Sequence, residues 1–181
     1  MKNFIYNETP GNLFDYENDY ALVHCLGADF DCSFGIARVF DTRYSVRASL
    51  LKDYIENWWH GTGYCLISNN SNILNLVTKR TCYEKATLDN VRAALRTMKT
   101  KAEERGIWRV AMPRIATGYD GLSWQDVHDI IFEVFDGSDF EIRVVYLNEY
   151  LDGNIIDGDI EKANFGKDRK SIDGNTSRKY Y

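Results

Sequence analysis

Six consecutive residues, Tyr20-Ala21-Leu22-Val23-His24-Cys25, pass without a charge or a regular polar alternation. Such a run has no face to offer water. It fits a central strand buried on both sides, and strands of that kind belong to sheets covered by helices on both faces. The rest of the chain supplies the other pieces. Lys2–Asn7 alternates weakly and predicts an opening strand. A turn-like stretch from Gly27 to Phe34 leads into Gly35–Phe40, which opens a helix. Val46, Leu50, Tyr54, Ile55 and Trp58 recur at helical spacing and predict a helix over 46–59, with Gly61 as its cap. Tyr64–Ser68 and Ile73–Lys79 flank Asn69-Asn70-Ser71-Asn72, the pattern of a β-hairpin.

The clearest helix runs over 87–105. Thr87 stands at its N-cap, Leu88, Val91, Ala94, Leu95, Met98 and Ala102 form its apolar stripe, and Gly106 follows. Ile107–Met112 predicts a strand halted by Pro113. Ser123 and Asp126 resemble a capping box opening a helix through Phe135, and Glu141–Leu147 alternates as a last strand. Strands alternating with helices, plus one hairpin, imply an α/β fold with a mixed sheet.

A chain of 181 residues, 44% hydrophobic, suits one domain with a modest extension. The composition turns to Gly, Asn, Asp and Lys near residue 149, so a domain over 1–148 and a polar extension over 149–181 are expected. With 27 acidic against 22 basic side chains, the net charge of −5 argues against a generic phosphate-backbone binder. No apolar run approaches the roughly 18 residues of a membrane span, and the first residues start no signal-peptide core. A cytoplasmic monomer without membrane attachment is the expectation. Cys25, Cys32, Cys65 and Cys82 form no CxxC pair, which predicts reduced, mostly buried thiols and no metal site. Asp157–Glu161 resembles a calcium loop, but Lys162 occupies the position of the required glycine. No cofactor is implied.

Sheets of this class bind ligands at the carboxyl ends of their strands, where loops meet helix N-termini. Ser33-Phe34-Gly35-Ile36-Ala37 follows the buried strand and opens a helix, so its backbone N–H groups and the helix dipole favour an anion. Pro113–Gly121 is a second glycine-bearing loop after a strand, and two such loops facing each other would clamp a diphosphate. Lys79 ends the second hairpin strand, where a solvated edge charge is the ordinary reading.

Taken together, Gly11-Asn12-Leu13-Phe14, Leu22–Cys25, Ser33–Ala37, Val77-Thr78-Lys79-Arg80 and Met112-Pro113-Arg114-Ile115 with Gly118 and Asp120 resemble the macro domain family. Within it, the chain looks most like the branch of the terminal ADP-ribose protein glycohydrolase and the DNA-ADP-ribosyl glycohydrolase antitoxins. The resemblance runs from the first strand to Leu147. It implies a three-layer α/β/α macro domain with a mixed central sheet, binding ADP-ribose in a surface cleft. Asn12, followed by Leu13, falls where most members carry the Asp that contacts the adenine amino group. Residues 33–37 match the diphosphate loop, with Phe34 standing where glycine or alanine is usual. Thr117-Gly118-Tyr119 matches the second phosphate loop, and Arg114 precedes it. Gly27–Cys32 replaces the asparagine-rich loop that orients water in the hydrolytic members, which argues against a substrate-assisted water mechanism.

In the resembling branch the residues at Lys79 and Asp120 are the nucleophile and the acid–base group. A neutral amine attacks the electrophilic C1″ of the distal ribose, and a carboxylate beside it moves the proton. The implied function is an ADP-ribosyl hydrolase acting on an ADP-ribosylated protein or nucleic acid, at a carboxylate or a nucleobase, through a lysine adduct. A phosphatase for ADP-ribose 1″-phosphate and a non-enzymatic reader are the alternatives. This geometry predicts that the strand ending at Lys79 lies beside the one ending at Met112. His24 is expected in the core, while His60 and His128 are expected on solvated helix surfaces. Trp58, Trp59 and Trp124 fit helix-to-sheet packing.

Overall fold

The computed structural model describes residues 3–54, 61–68 and 72–147. Its strands are β1 (Ile5–Pro10), β2 (Ala21–Gly27), β3 (Tyr64–Ser68), β4 (Ile73–Lys79), β5 (Arg109–Met112) and β6 (Glu141–Tyr146). Its helices are α1 (Gly35–Tyr44), α2 (Val46–Tyr54), α3 (Leu88–Glu104) and α4 (Trp124–Phe135), with a 3-10 turn at Leu13–Tyr16. The strands form one six-stranded sheet in the order β1-β6-β5-β2-β4-β3. All neighbours run parallel except the β3–β4 hairpin.

The sheet has a helical layer on each side, as expected. On one face the α3 residues Val91, Leu95 and Met98 and the α4 residues Val127, Ile131 and Val134 pack on Val23, Leu74, Val110 and Ile142. On the other, Phe40 of α1, Leu50 of α2 and Phe14 pack on Leu22, Leu66, Val77 and Ala111. Strand β2 feeds both cores, with Val23 to one and Leu22 to the other, which is why its sequence does not alternate. Thr87 caps α3 by accepting from the Asn90 N–H.

Several expectations need correction. The first strand starts at Ile5, not Lys2, and reaches Pro10, because an edge strand pairs on one side only and tolerates a residue without an N–H. Strand β5 starts at Arg109 rather than Ile107. Ser123 occupies the N-cap of α4 but makes no side-chain cap bond, so the capping box is not formed. The β4 strand does not lie beside β5: β2 stands between them. The doubly apolar strand takes the place with most cover, and its neighbours are pushed to either side.

His128 is half-buried, not solvated, with its ring 5.2 Å from Tyr6 and 4.6 Å from Phe132. It belongs to the aromatic stripe by which α4 covers β1. The expected helix beyond Tyr54 (with Ile55, Trp58 and Trp59), His60, hairpin residues 69–71 and everything from 148 onward lie outside the described residues. That includes the expected boundary at 148/149 and the 157–161 stretch.

His24 is a core residue, as expected. Its Nε2 lies 2.7 Å from Asn75 Oδ1, and its ring stacks on Phe40 at 4.1 Å. Asn75 Oδ1 only accepts, so Nε2 carries the proton. Asn75 in turn donates to Leu66 O at 3.0 Å and Ser68 Oγ at 2.7 Å. Burial depresses the imidazole to about 4, so it stays neutral in the fold. All four cysteines are free, with three buried and Cys25 half-buried. No helix among the described residues is long and apolar enough to cross a membrane.

Candidate active site

Parallel pairing brings the carboxyl ends of β2, β4 and β5 to one rim of the sheet. The loops that follow these strands surround a cavity of about 420 Å³. Two of the loops are tied together by backbone. The Ala28 N–H donates to Lys79 O at 2.9 Å and the Asp29 N–H to Arg80 O at 3.1 Å. A bulge between Leu26 and Gly27 lets Gly27 face Lys79. A side chain at Gly27 would meet Thr81 C at 2.8 Å and Cys82 N at 3.0 Å, so only glycine allows this approach.

Lys79 and Asp120 meet on the cavity wall. Lys79 Nζ lies 2.9 Å from Asp120 Oδ1, and the two side chains are only 10% and 7% exposed. The Ala86 N–H donates to the same oxygen at 3.0 Å. The ammonium also sits 4.9 Å from the centre of the Tyr119 ring. Strands β4 and β5 are not neighbours, so the pair closes because the 113–122 loop folds back over the end of β2. Within that loop the Leu122 N–H donates to Ala116 O at 3.1 Å, and Ala116 is held in the left-handed region at φ 59°.

The structure brings Phe34, Gly35, Ile36, Ala37, Arg114, Gly118 and Tyr119 to the same cavity as Lys79 and Asp120. Phe34 is the N-cap of α1 and makes no side-chain cap bond, which leaves the first N–H groups of the helix open toward the cavity. Asn12, Leu13, Ser33 and Thr117 do not line it. Asn12 caps the 3-10 turn by accepting from the Phe14 N–H, and Leu13 is buried in the core. Ser33 donates through its backbone and hydroxyl to Asp31, and Thr117 Oγ1 donates to Arg114 O at 2.7 Å.

Arg114 is held by Glu8 at 3.0 Å and lies 4.2 Å over the Tyr146 ring. Burial works against the Glu8 carboxylate, yet hydrogen bonds from Tyr6, Arg114 and Trp124 keep it below the usual carboxylate range. Arg80 points outward to Glu84, 74% exposed.

Cys25, Asp31, Cys82 and Tyr83 also line the cavity, and the sequence did not single them out for it. The thiols are poor nucleophiles. Burial, then the Asp120 charge, pushes Cys25 up to about 12, and burial, then the hydrogen bond to Asp31, pushes Cys82 to about 11. Asp29, Asp31 and Cys82 offer ligand atoms within 4.8 Å of one another. Their hydrogen bonds already join the two loops: Cys82 N–H to Asp29 Oδ2 at 2.9 Å, and Cys82 Sγ to Asp31 Oδ2 at 3.5 Å. The only advance signal for these residues was position: Cys82 and Tyr83 stand three and four places past the strand that ends at Lys79, and Cys25 and Asp31 lie within and just past the strand that ends at Gly27.

Fold and site together define a three-layer α/β/α domain with an amine–carboxylate pair in a cleft at the carboxyl end of its sheet. The macro domain model matches residues 62–131. A Bos taurus protein named ADP-ribose glycohydrolase OARD1 is 34% identical over 137 residues, which span 76% of this chain and 88% of that one. The chain belongs to the macro domain family. Among solved structures, the DarG macrodomain of Thermus aquaticus superposes with a TM-score of 0.69 at 19% identity, covering 81% of this chain and 100% of that one. The Mycobacterium tuberculosis DarG macrodomain gives 0.68 at 23% identity, covering 82% and 99%.

Proposed function

We propose that the chain is an ADP-ribosyl hydrolase that removes ADP-ribose from a carboxylate or a nucleobase through a Lys79 adduct. The observation that carries this reading is the 2.9 Å Lys79–Asp120 pair, largely buried on the wall of a cavity large enough for a ligand. The bovine relative's name supports the substrate class. The open N-terminus of α1 and the 117–119 loop suit a diphosphate, which sets the distal ribose toward Lys79. Ser33 and Thr117 contribute by shaping these loops. Asn12 sits at the adenine end, where its Oδ1 already accepts from Phe14, and Leu13 contributes as the apolar support of that turn.

The chemistry follows from the pair. As Nζ attacks C1″, the bond to the leaving carboxylate or base breaks. Asp120 takes the amine's proton and delivers it to the leaving group. The ribosylamine opens to an imine, Asp120 takes a proton from the water that adds to it, and passes that proton to the nitrogen as ADP-ribose departs and the amine is restored. His24, fully buried and bonded to Asn75, stands outside the cavity and has no part in the chemistry. Four free thiols fit a reducing, cytoplasmic setting, and the chain acts as a monomer.

Borohydride tests the adduct. Incubation with a glutamate-ADP-ribosylated peptide or an ADP-ribosylated oligonucleotide, followed by reduction, should fix ADP-ribose mass on the Lys79 peptide. Lys79→Arg should bind ADP-ribose yet neither turn over nor trap, because a guanidinium stays protonated. An active Lys79→Arg enzyme would exclude the adduct.

A further inference from the structure

The segment 83–86 joins the end of β4 to the cap of α3, and it grips the dipeptide Tyr119-Asp120 at three points. The Tyr119 hydroxyl donates to Tyr83 O at 3.0 Å. The Ala86 N–H donates to Asp120 Oδ1 at 3.0 Å. Between them, Lys85 Nζ donates to Tyr119 O and lies 3.4 Å from the centre of the Tyr119 ring. Lys85 is exposed and belongs to neither core. Its ammonium therefore binds one loop residue twice, through carbonyl and ring, without adding to the packing of the sheet.

We infer that Lys85 is a positioning residue for the acid–base carboxylate: it clamps Tyr119, and through it sets Asp120 on Lys79. The inference rests on the acid–base reading of Asp120. The physical case is one of tolerance. Proton transfer needs heavy atoms within hydrogen-bond reach, and a displacement on the order of 1 Å costs about 10²-fold in rate. Asp120 lies at the far end of a loop that crosses over the end of β2, with Gly118 before it and Gly121 after it. The Gly121 N–H donates to Gly118 O at 3.1 Å and closes a turn around Tyr119-Asp120, whose two peptide units are then oriented by contacts from outside the turn. Ala86 fixes the carboxylate and Tyr83 takes the Tyr119 hydroxyl, while the Tyr119 carbonyl, just before Asp120, has a hold of its own. Lys85 supplies that hold, and its charge attracts the loop to it.

The substrate for the test is whichever of the two the wild type turns over, the glutamate-ADP-ribosylated peptide or the ADP-ribosylated oligonucleotide. Lys85→Met should lower kcat about tenfold or more while KM and the Kd for ADP-ribose stay within about twofold. Lys85→Arg, whose guanidinium can span the same carbonyl and ring, should recover most of kcat. Lys85→Met added to Asp120→Ala should cost nothing further, because its effect runs through Asp120. Unchanged kcat in Lys85→Met overturns the inference. So does a raised KM at constant kcat, the signature of a ligand contact, or a penalty that adds fully to that of Asp120→Ala. A fully active Asp120→Ala would instead remove the acid–base reading itself, so the two failures are distinguishable.

Discussion

Replacing Asp120 with Asn separates what its carboxylate holds from what it transfers. An Asn oxygen still accepts from Lys79 Nζ and from the Ala86 N–H, the two bonds that fall on Oδ1 at 2.9 and 3.0 Å. The charge is lost, and with it the ionic reinforcement of the Lys79 bond in a site where both side chains are about nine-tenths covered. That reinforcement contributes about 1–2 kcal/mol, which for a domain of this size lowers Tm by about 2–8 °C. Asp120→Ala is harsher: it takes the carboxylate away from a buried ammonium and a buried N–H, and breaking such a pair costs about 3–5 kcal/mol. Activity should rank differently. Both variants lose the proton carrier, so both should fall by about 10²–10⁴ in single-turnover release of ADP-ribose. Calorimetric melting and release from ADP-ribosylated peptide or oligonucleotide measure the two effects on the same samples. An Asn variant that releases ADP-ribose within about threefold of wild type refutes the argument, because geometry alone would then suffice.

His24 ties stability to pH. Its folded pKa is depressed to about 4 by burial, against 6.5 when exposed, so between these values the unfolded chain binds the extra proton. Its contribution of about 3 kcal/mol is complete above pH 6.5 and is lost as pH falls toward 4. His24→Gln, which can still donate to Asn75, should flatten that part of a urea-midpoint profile, and an unchanged slope would point to other groups. Gly27→Ala should part the loops after β2 and β4, since two of the atoms its Cβ meets are backbone. It should lower Tm and abolish the thermal shift that ADP-ribose gives the wild type; full binding would mean that the loops move freely.

The sequence made β2 legible because burial on both faces leaves a pattern that neither an edge strand nor an amphipathic helix produces. The α3 boundaries were legible because Thr87 and Gly106 punctuate a regular stripe. Lys79 and Asp120 could be paired only through resemblance, since 41 residues separate them and nothing in their spacing says that they meet. The strand order was not legible: hydrophobic pattern sets how deeply a strand is buried, but not which strand lies on its left. Residues 83–85 escaped notice because a polar loop has no period, and their value lies in contacts to a segment far along the chain. His128 was misread because helix position alone does not show that β1, an edge strand, will lean its aromatic rings against it.

The central place of β2 also sets when in folding the site can exist. The β3–β4 hairpin, α3 and β5 follow one another in sequence and can collapse early. Lys79 is then in place, but the gap between β4 and β5 stays open until β2 returns from well upstream to fill it. Only then is there a floor across which the 113–122 loop can lay Asp120. Pairings between distant segments form late. A half-folded chain thus carries its amine without the partner that makes it useful until β2 is seated between β4 and β5.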